Sequence, residues 1–369
     1  AIGLTEPNPN LIWSAAARPQ APPGFGAMRE RLAALHPDYL RVVVDWAKLQ
    51  PTPGRPASLT ATEDGCERGA GPCAAYAGLR DLFAAIASHP GLVPVVVVYG
   101  APAWAARAPA GCERPGTLPR SRALTPAGLA AYRSLIRGLL ALGRASGLEL
   151  PWWSPWNEPN HPYFISPQRA RCDARAPALS PALYAGLTRA MRAELAADPR
   201  PHRLVLGDLA GFTRPSPVAV GVAEFLAALP ADVVCSAGAW AVHYGLARVA
   251  RRAQATVTQL ERALARRRCT AAVPVWVTEA GAPTPPPGTP GAADDAIASC
   301  RELAAALAHW NADPRVDAVF QYTFRQDPLF ALGLADTGLT RTFPAYAVWH
   351  AWGARAPDGP PPAGGGSCR

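Results

Sequence analysis

Two glutamates hold most of the chemical information in this 369-residue chain. Glu158 lies in Trp156-Asn157-Glu158-Pro159-Asn160, and Glu279 in Val275-Trp276-Val277-Thr278-Glu279-Ala280-Gly281. Each ends an apolar run short enough to be a buried strand. Cleavage of a glycosidic bond needs such a pair with opposite duties. One carboxyl holds a proton for the leaving oxygen; the other is ionised, to attack the anomeric carbon or to activate water. The two stand far apart in the chain, so only a fold that gathers successive strand ends brings them together.

The elements available for that task follow from the hydrophobic pattern. Apolar strand-like runs fall at Ala1–Thr5, Leu40–Trp46, Leu92–Tyr99, Trp152–Asn157, Arg203–Leu209, Ala237–Tyr244, Val273–Thr278 and Ala318–Phe324. Amphipathic stretches rich in Ala, Leu and Arg lie between them, near 26–35, 74–88, 126–146, 180–197, 218–229, 247–268, 292–311 and 344–352. Thr125 before Pro126 and Ser180 before Pro181 place a capping residue ahead of a first-turn proline. This alternation predicts parallel strands with helical crossovers. The expected architecture is α/β: a single (β/α)8 TIM barrel with long βα loops over residues 1–355, then a Pro/Gly-rich tail over 356–369. A doubly wound open sheet would favour a Gly-rich phosphate turn after an early strand, and the sequence has none. In the barrel, both glutamates fall at the carboxyl ends of strands, where barrel active sites assemble. Pro283–Gly291 follows the Glu279 strand and reads as a stiff, extended loop over that face.

Composition narrows the class. The chain is 49% hydrophobic and 17% charged, which predicts a substantial core. No apolar run approaches the roughly 20 residues needed to cross a bilayer. The sequence opens on Ala1 with no charged-then-apolar leader, the expectation for a processed chain whose targeting signal has been removed. The net charge of +9 is made of arginine, Lys48 being the only lysine among 36 basic residues. Its densest cluster, Arg266-Arg267-Arg268, ends an expected helix, where cations complement the carbonyl dipoles. No basic stripe or recognition motif supports a nucleic-acid partner.

The eight cysteines form no C-x-x-C pair, which disfavours zinc and thioredoxin-type sites. Several lie in Pro/Gly-rich loops, so disulfides in an oxidising compartment are expected, and with them a secreted or cell-surface location. Cys66 and Cys73 bracket a short Gly-rich loop and form one expected bridge. Cys112 and Cys172 follow the third and fourth strands, whose loops emerge at the same end, and form another. Cys235, Cys269, Cys300 and Cys368 stay unassigned.

Trp156-Asn157-Glu158-Pro159 resembles the Asn-Glu-Pro signature of glycoside hydrolase clan A, and Thr278-Glu279-Ala280-Gly281 resembles the clan's nucleophile strand. Leu40–Pro51, Tyr99–Ala105, Arg203–Gly211 and Gln321–Trp352 resemble its second, third, fifth and eighth strand regions, so the resemblance covers nearly the whole chain. It is nearest to family 39-like and family 5-like members. The resemblance implies a retaining O-glycosyl hydrolase acting on a polysaccharide or oligosaccharide, with no metal or organic cofactor. Glu158 would be the general acid/base and Glu279 the nucleophile.

By the same resemblance Asn157 would bind the sugar 2-hydroxyl and Arg41 would support the nucleophile. His243 and Tyr244 match a His and a Tyr that the clan places near substrate. Here the two are adjacent, so a regular strand points them to opposite faces; a satisfied core histidine is the other reading of His243. Tyr322 stands where the clan often has a tryptophan floor. Trp46, Trp104 and Trp153 are the other candidates for stacking on sugar. Asp327 resembles a loop carboxylate with a substrate role. Two alternatives share the motifs: a transglycosylase on the same site, and a non-catalytic glycan-binding barrel. The second has no need of an acid–nucleophile pair.

Overall fold

The computed structural model describes residues 1–20, 22–113, 115–243, 250–285, 290–356, 359–362 and 368. Tyr244, residues 286–289 of the Pro-rich loop and most of the tail lie outside them.

Eight parallel strands close a barrel in chain order: β1 (Ile2–Thr5), β2 (Tyr39–Asp45), β3 (Val93–Tyr99), β4 (Trp152–Ser154), β5 (Arg203–Leu209), β6 (Ala237–His243), β7 (Val275–Ala280) and β8 (Val316–Tyr322). The crossovers carry α1 (Phe25–Ala33), α2 (Gly78–Ala87), α3 (Pro126–Ala145), α4 (Ser180–Ala197), α5 (Val222–Ala228), α6 (Ala250–Ala265) and α7 (Ala292–Ala312), and α8 (Pro344–Gly353) closes the ring. The expected (β/α)8 barrel is the observed one. No helix among the described residues is long and apolar enough to cross a membrane.

Side-chain parity divides the core in two. Leu40, Val42 and Val44 of β2, Val96 and Val98 of β3, and Val275 and Val277 of β7 point outward to the helices. Their neighbours Val95, Trp276 and Phe320 point inward with Val205, Ala239, Ala241 and Ala318, and Tyr39 and Trp152 pack against them. Small residues make room for these rings. A Cβ on Gly3 would sit 2.2 Å from the Phe320 ring. Trp276 meets Trp152 at 4.7 Å and Tyr39 at 4.9 Å between centroids, so aromatic rings fill the amino half of the barrel. The polar residues that remain on inward positions are thereby confined to the carboxyl half.

Two strand ends differ from expectation. β4 stops at Ser154 because Pro155 has no N–H to donate to a ladder, so Glu158 sits in the following loop rather than on the strand. β8 stops at Tyr322, before a cis peptide bond to Thr323. Four disulfides join Cys66–Cys73, Cys112–Cys172, Cys235–Cys269 and Cys300–Cys368. The first two are the pairs expected from sequence. The last ties Cys368, in the tail, to α7.

Candidate active site

The site begins with Arg41, the second inward-facing residue of β2, paired in register with Thr5 of β1 and Val95 of β3. Its side chain is 1% exposed. A charge that deep is tolerable only when paired. Nη1 donates to Glu279 Oε1 at 2.7 Å, and Nη2 donates to Asn157 Oδ1 at 2.5 Å. Nη2 also lies 3.6 Å from Asp208 Oδ2. Burial works against the guanidinium charge, but the Asp208 and Glu279 carboxylates outweigh it and keep Arg41 above its ordinary range.

Asp208 reaches the centre through a local irregularity. The β5–β6 register slips between Leu206 and Leu209, and both Gly207 (φ 100) and Asp208 (φ 44) are left-handed. Such a bulge re-aims a side chain that regular alternation would send elsewhere. The Asp208 carboxylate, 1% exposed, accepts from the Thr278 hydroxyl. Burial would raise its pKa, yet the Arg41 charge, His243 and the Ser154 hydroxyl hold it well below the usual carboxylate range. Its backbone carbonyl accepts the N–H of Glu158 at 3.0 Å, which fixes the loop that carries Glu158.

His243 ends β6, opposite Glu279 in register. Its Nδ1 lies 2.8 Å from Glu158 Oε1 and 3.4 Å from Glu279 Oε2, and its Nε2 lies 3.5 Å from Asp208 Oδ1. Burial opposes its charge, but Glu279, Asp208 and Glu158 together push it up to about 10. Three carboxylates facing its two nitrogens favour the charged ring, in which Nδ1 donates to Glu158.

Above this buried floor stand the two glutamates, with 19% and 23% of the Glu158 and Glu279 side chains exposed. One carboxylate oxygen of each, with a His243 ring nitrogen, lies within 4.8 Å of the others. Among the described residues this is the only such cluster of metal-ligating types.

Asn157 is buried with its Oδ1 taken by Arg41, which leaves the amide N–H2 as the donor side. Tyr322 is half-buried at the end of β8; burial, then the Glu279 and Asp327 charges, push its phenol up. Phe330 meets the Tyr322 ring edge-on at 6.2 Å. Asp327 accepts from Arg68 at 2.8 and 3.2 Å and from the Leu329 N–H at 2.7 Å. Its carboxylate thus pins the loop after β2 to the loop after β8 rather than standing free for substrate. Buried Arg325 reinforces that join, donating to the carbonyls of Gly65 and Ala70.

The tryptophans correct the sequence expectation. Trp46 and Trp153 are fully buried in the outer core, with Nε1 bonded to Gln50 Oε1 and Leu150 O, so neither offers a face to sugar. Parity explains both: Trp46 continues the outward series Leu40, Val42, Val44, and Trp153 follows the inward Trp152. Trp104 is half-buried and donates to the carbonyl of Gln50. The roles expected for Tyr244 lie outside the described residues.

Two features escaped the sequence reading. Asp208 is one, although Gly207-Asp208 inside an otherwise apolar strand was its signal. The other is a polar group at the mouth: Tyr99 and Arg120 both donate to Asp45 Oδ2, at 3.1 and 3.0 Å, and the guanidinium lies over the Tyr99 ring. Asp45 and Tyr99 are paired in register at the carboxyl ends of β2 and β3.

No protein-family model and no curated protein matches this sequence. Solved structures do match its fold. The GH5_18 structure from Bifidobacterium longum subsp. longum aligns over 98% of this chain and 80% of its own, at 16% identity and a TM-score of 0.57. GH5_18 from Streptomyces cattleya, in complex with GlcNAc, aligns over 98% and 82%, at 20% identity and 0.56. A family 39 glycoside hydrolase from the gut symbiont Bacteroides cellulosilyticus WH2 aligns over 95% of this chain at 15% identity and 0.55. This chain spans only 62% of that protein. These neighbours are clan A glycoside hydrolases, and what they share with this chain at such identities is the barrel fold.

Proposed function

We infer that this chain is a retaining glycoside hydrolase in which Glu158 is the general acid/base and Glu279 the nucleophile. The observation that carries the reading is the approach of the two carboxylates to within 4.8 Å on the carboxyl face of the barrel. Retaining enzymes hold their carboxyls about 5–5.5 Å apart, whereas inverting enzymes leave about 6.5–9.5 Å for a water. In the first step a Glu279 oxygen bonds to the anomeric carbon as the bond to the leaving oxygen breaks, and Glu158 gives that oxygen its proton. In the second, Glu158 takes a proton from water, the water oxygen bonds to the anomeric carbon, and the ester to Glu279 breaks. Each step inverts the centre, so the product keeps the starting configuration. Arg41 orients Glu279 through its hydrogen bond, and the Asn157 amide N–H2, on the side opposite the Oδ1 that Arg41 occupies, serves a sugar hydroxyl. Tyr322 and Phe330 supply the aromatic wall.

The substrate is a polysaccharide or oligosaccharide, and the four disulfides support a secreted or cell-surface site of action. A Streptomyces cattleya GH5_18 variant is in complex with Manb1-4GlcNAc, so β-mannosides belong in the test panel. Aryl-glycosides and polysaccharides are incubated with the protein and the first-formed anomer is read by proton NMR. Retained configuration on at least one substrate is expected. An inverted product, or glycan binding without turnover across the panel, overturns the reading.

A further inference from the structure

Asp208 has no part in the double displacement, yet the site is built around it. Its carboxylate faces Arg41 at 3.6 Å and His243 Nε2 at 3.5 Å, and these two cations are the groups that contact Glu279 and Glu158. Its backbone carbonyl accepts the Glu158 N–H. Gly207 provides the backbone turn that makes this possible: a Cβ there would lie 2.5 Å from the carbonyl oxygen of Ala241.

The charges around the reacting centre can be counted through the proposed cycle. Before attack, Arg41 and His243 are positive, Asp208 and Glu279 negative, and Glu158 protonated, so the cluster is neutral. In the glycosyl-enzyme, Glu279 is a neutral ester and Glu158 has become the carboxylate, so the cluster is neutral again. Removing Asp208 leaves one excess buried positive charge at both stages. A buried site tolerates such imbalance poorly, and charged groups there neutralise instead. The group that would give way is His243, because Arg41 cannot release its proton.

We propose that Asp208 is a positioning residue, a fixed buried anion that keeps His243 charged and donating to Glu158 while balancing Arg41 beneath Glu279. The proposal rests on the roles assigned above to the two glutamates. Among the described residues, the charged groups facing His243 are Glu158 from the loop after β4, Asp208 from β5 and Glu279 from β7, with Arg41 of β2 behind them. Asp208 is the one among the three carboxylates whose charge does not change during turnover.

The test is NMR titration of the His243 ring nitrogens in the full-length, 15N-labelled protein, beside pH profiles of kcat/KM. In the wild type the ring is expected to titrate near 10. In Asp208→Asn, which keeps the shape and loses the charge, the midpoint should fall by about 1–3 pH units, and the alkaline limb of kcat/KM should move the same way. Asp208→Glu should restore part of both. An unchanged His243 midpoint in a folded Asp208→Asn protein overturns the proposal. If that variant does not fold, the wild type decides: a ring titrating near the ordinary 6.5 overturns it as well. A shifted titration in a protein that turns over no glycoside would instead sink the functional reading and leave the charge network standing.

Discussion

Glu158 and Glu279 differ in what surrounds them, and their removal should read out differently. On the roles proposed above, Glu279→Ala removes the attacking oxygen, so turnover should fall by roughly four to six orders of magnitude on every substrate, whatever its leaving group. Glu158→Ala removes a proton donor, a loss of about 100- to 10,000-fold on a natural glycan. An acidic phenol leaves without that help, so the first step should survive on an activated aryl-glycoside. The intermediate then accumulates, and azide, which needs no base, should restore turnover. Steady-state rates with and without azide, and the configuration of the glycosyl azide formed, check this: the Glu158 variant should give the retained azide, and a retained azide from the Glu279 variant with an inverted one from the Glu158 variant would reverse the roles. His243 makes a separate prediction about stability. Its folded pKa near 10 lies above the unfolded 6.5, so its contribution is complete below about pH 6.5 and is lost as pH rises through about 10. That contribution is on the order of a few kcal/mol. Thermal unfolding of the wild type should weaken across that window, and His243→Asn should flatten the decline.

The strand ends decide which side chains reach the centre, and one glycine bears much of that work. Gly207 stands at φ 100 with no room for a Cβ, so Gly207→Ala should destabilise the fold by about 2 kcal/mol or more and lower turnover by displacing Asp208. Urea unfolding beside kcat measures both; a variant as stable and active as the wild type would show that the bulge is dispensable. This is also where reading the sequence met its limit. The strand–helix alternation and the Glu158 and Glu279 motifs were legible because they depend on local periodicity and on residue types in fixed order. Trp46 and Trp153 were misjudged although parity along β2 and β4 already turned both outward. Asp208 was missed because a bulge breaks parity: Gly207-Asp208 signals an irregularity in the strand, but the change of register between Leu206 and Leu209 is set against β6. The shortening of β4 was available from Pro155. The joining of Asp327 to Arg68 was not, since it depends on how two distant loops meet.

Across the whole molecule, the disulfides fasten loops and termini rather than the barrel wall. Cys300–Cys368 spans 68 residues and secures Cys368 of the tail to α7. Replacing both cysteines by alanine should cost about 2–4 kcal/mol in unfolding free energy and leave kcat unchanged. A fall in kcat without a fall in stability would mean that the tail reaches the site. The rings inside the barrel have a consequence of another kind. Tyr39, Trp152, Trp276 and Phe320 seal the amino half beneath Arg41, so the ionic floor rests on an insulator and opens to solvent only through the mouth. Mobile ions can approach from one side alone, and the field of Arg41 and His243 is channelled upward into the cleft. Salt should therefore act weakly on the chemistry. At ~1 M ionic strength the Debye length shrinks to about 3 Å, yet kcat on a neutral glycoside should change less than about twofold. A steep loss of kcat with salt would mean that water reaches the floor from below.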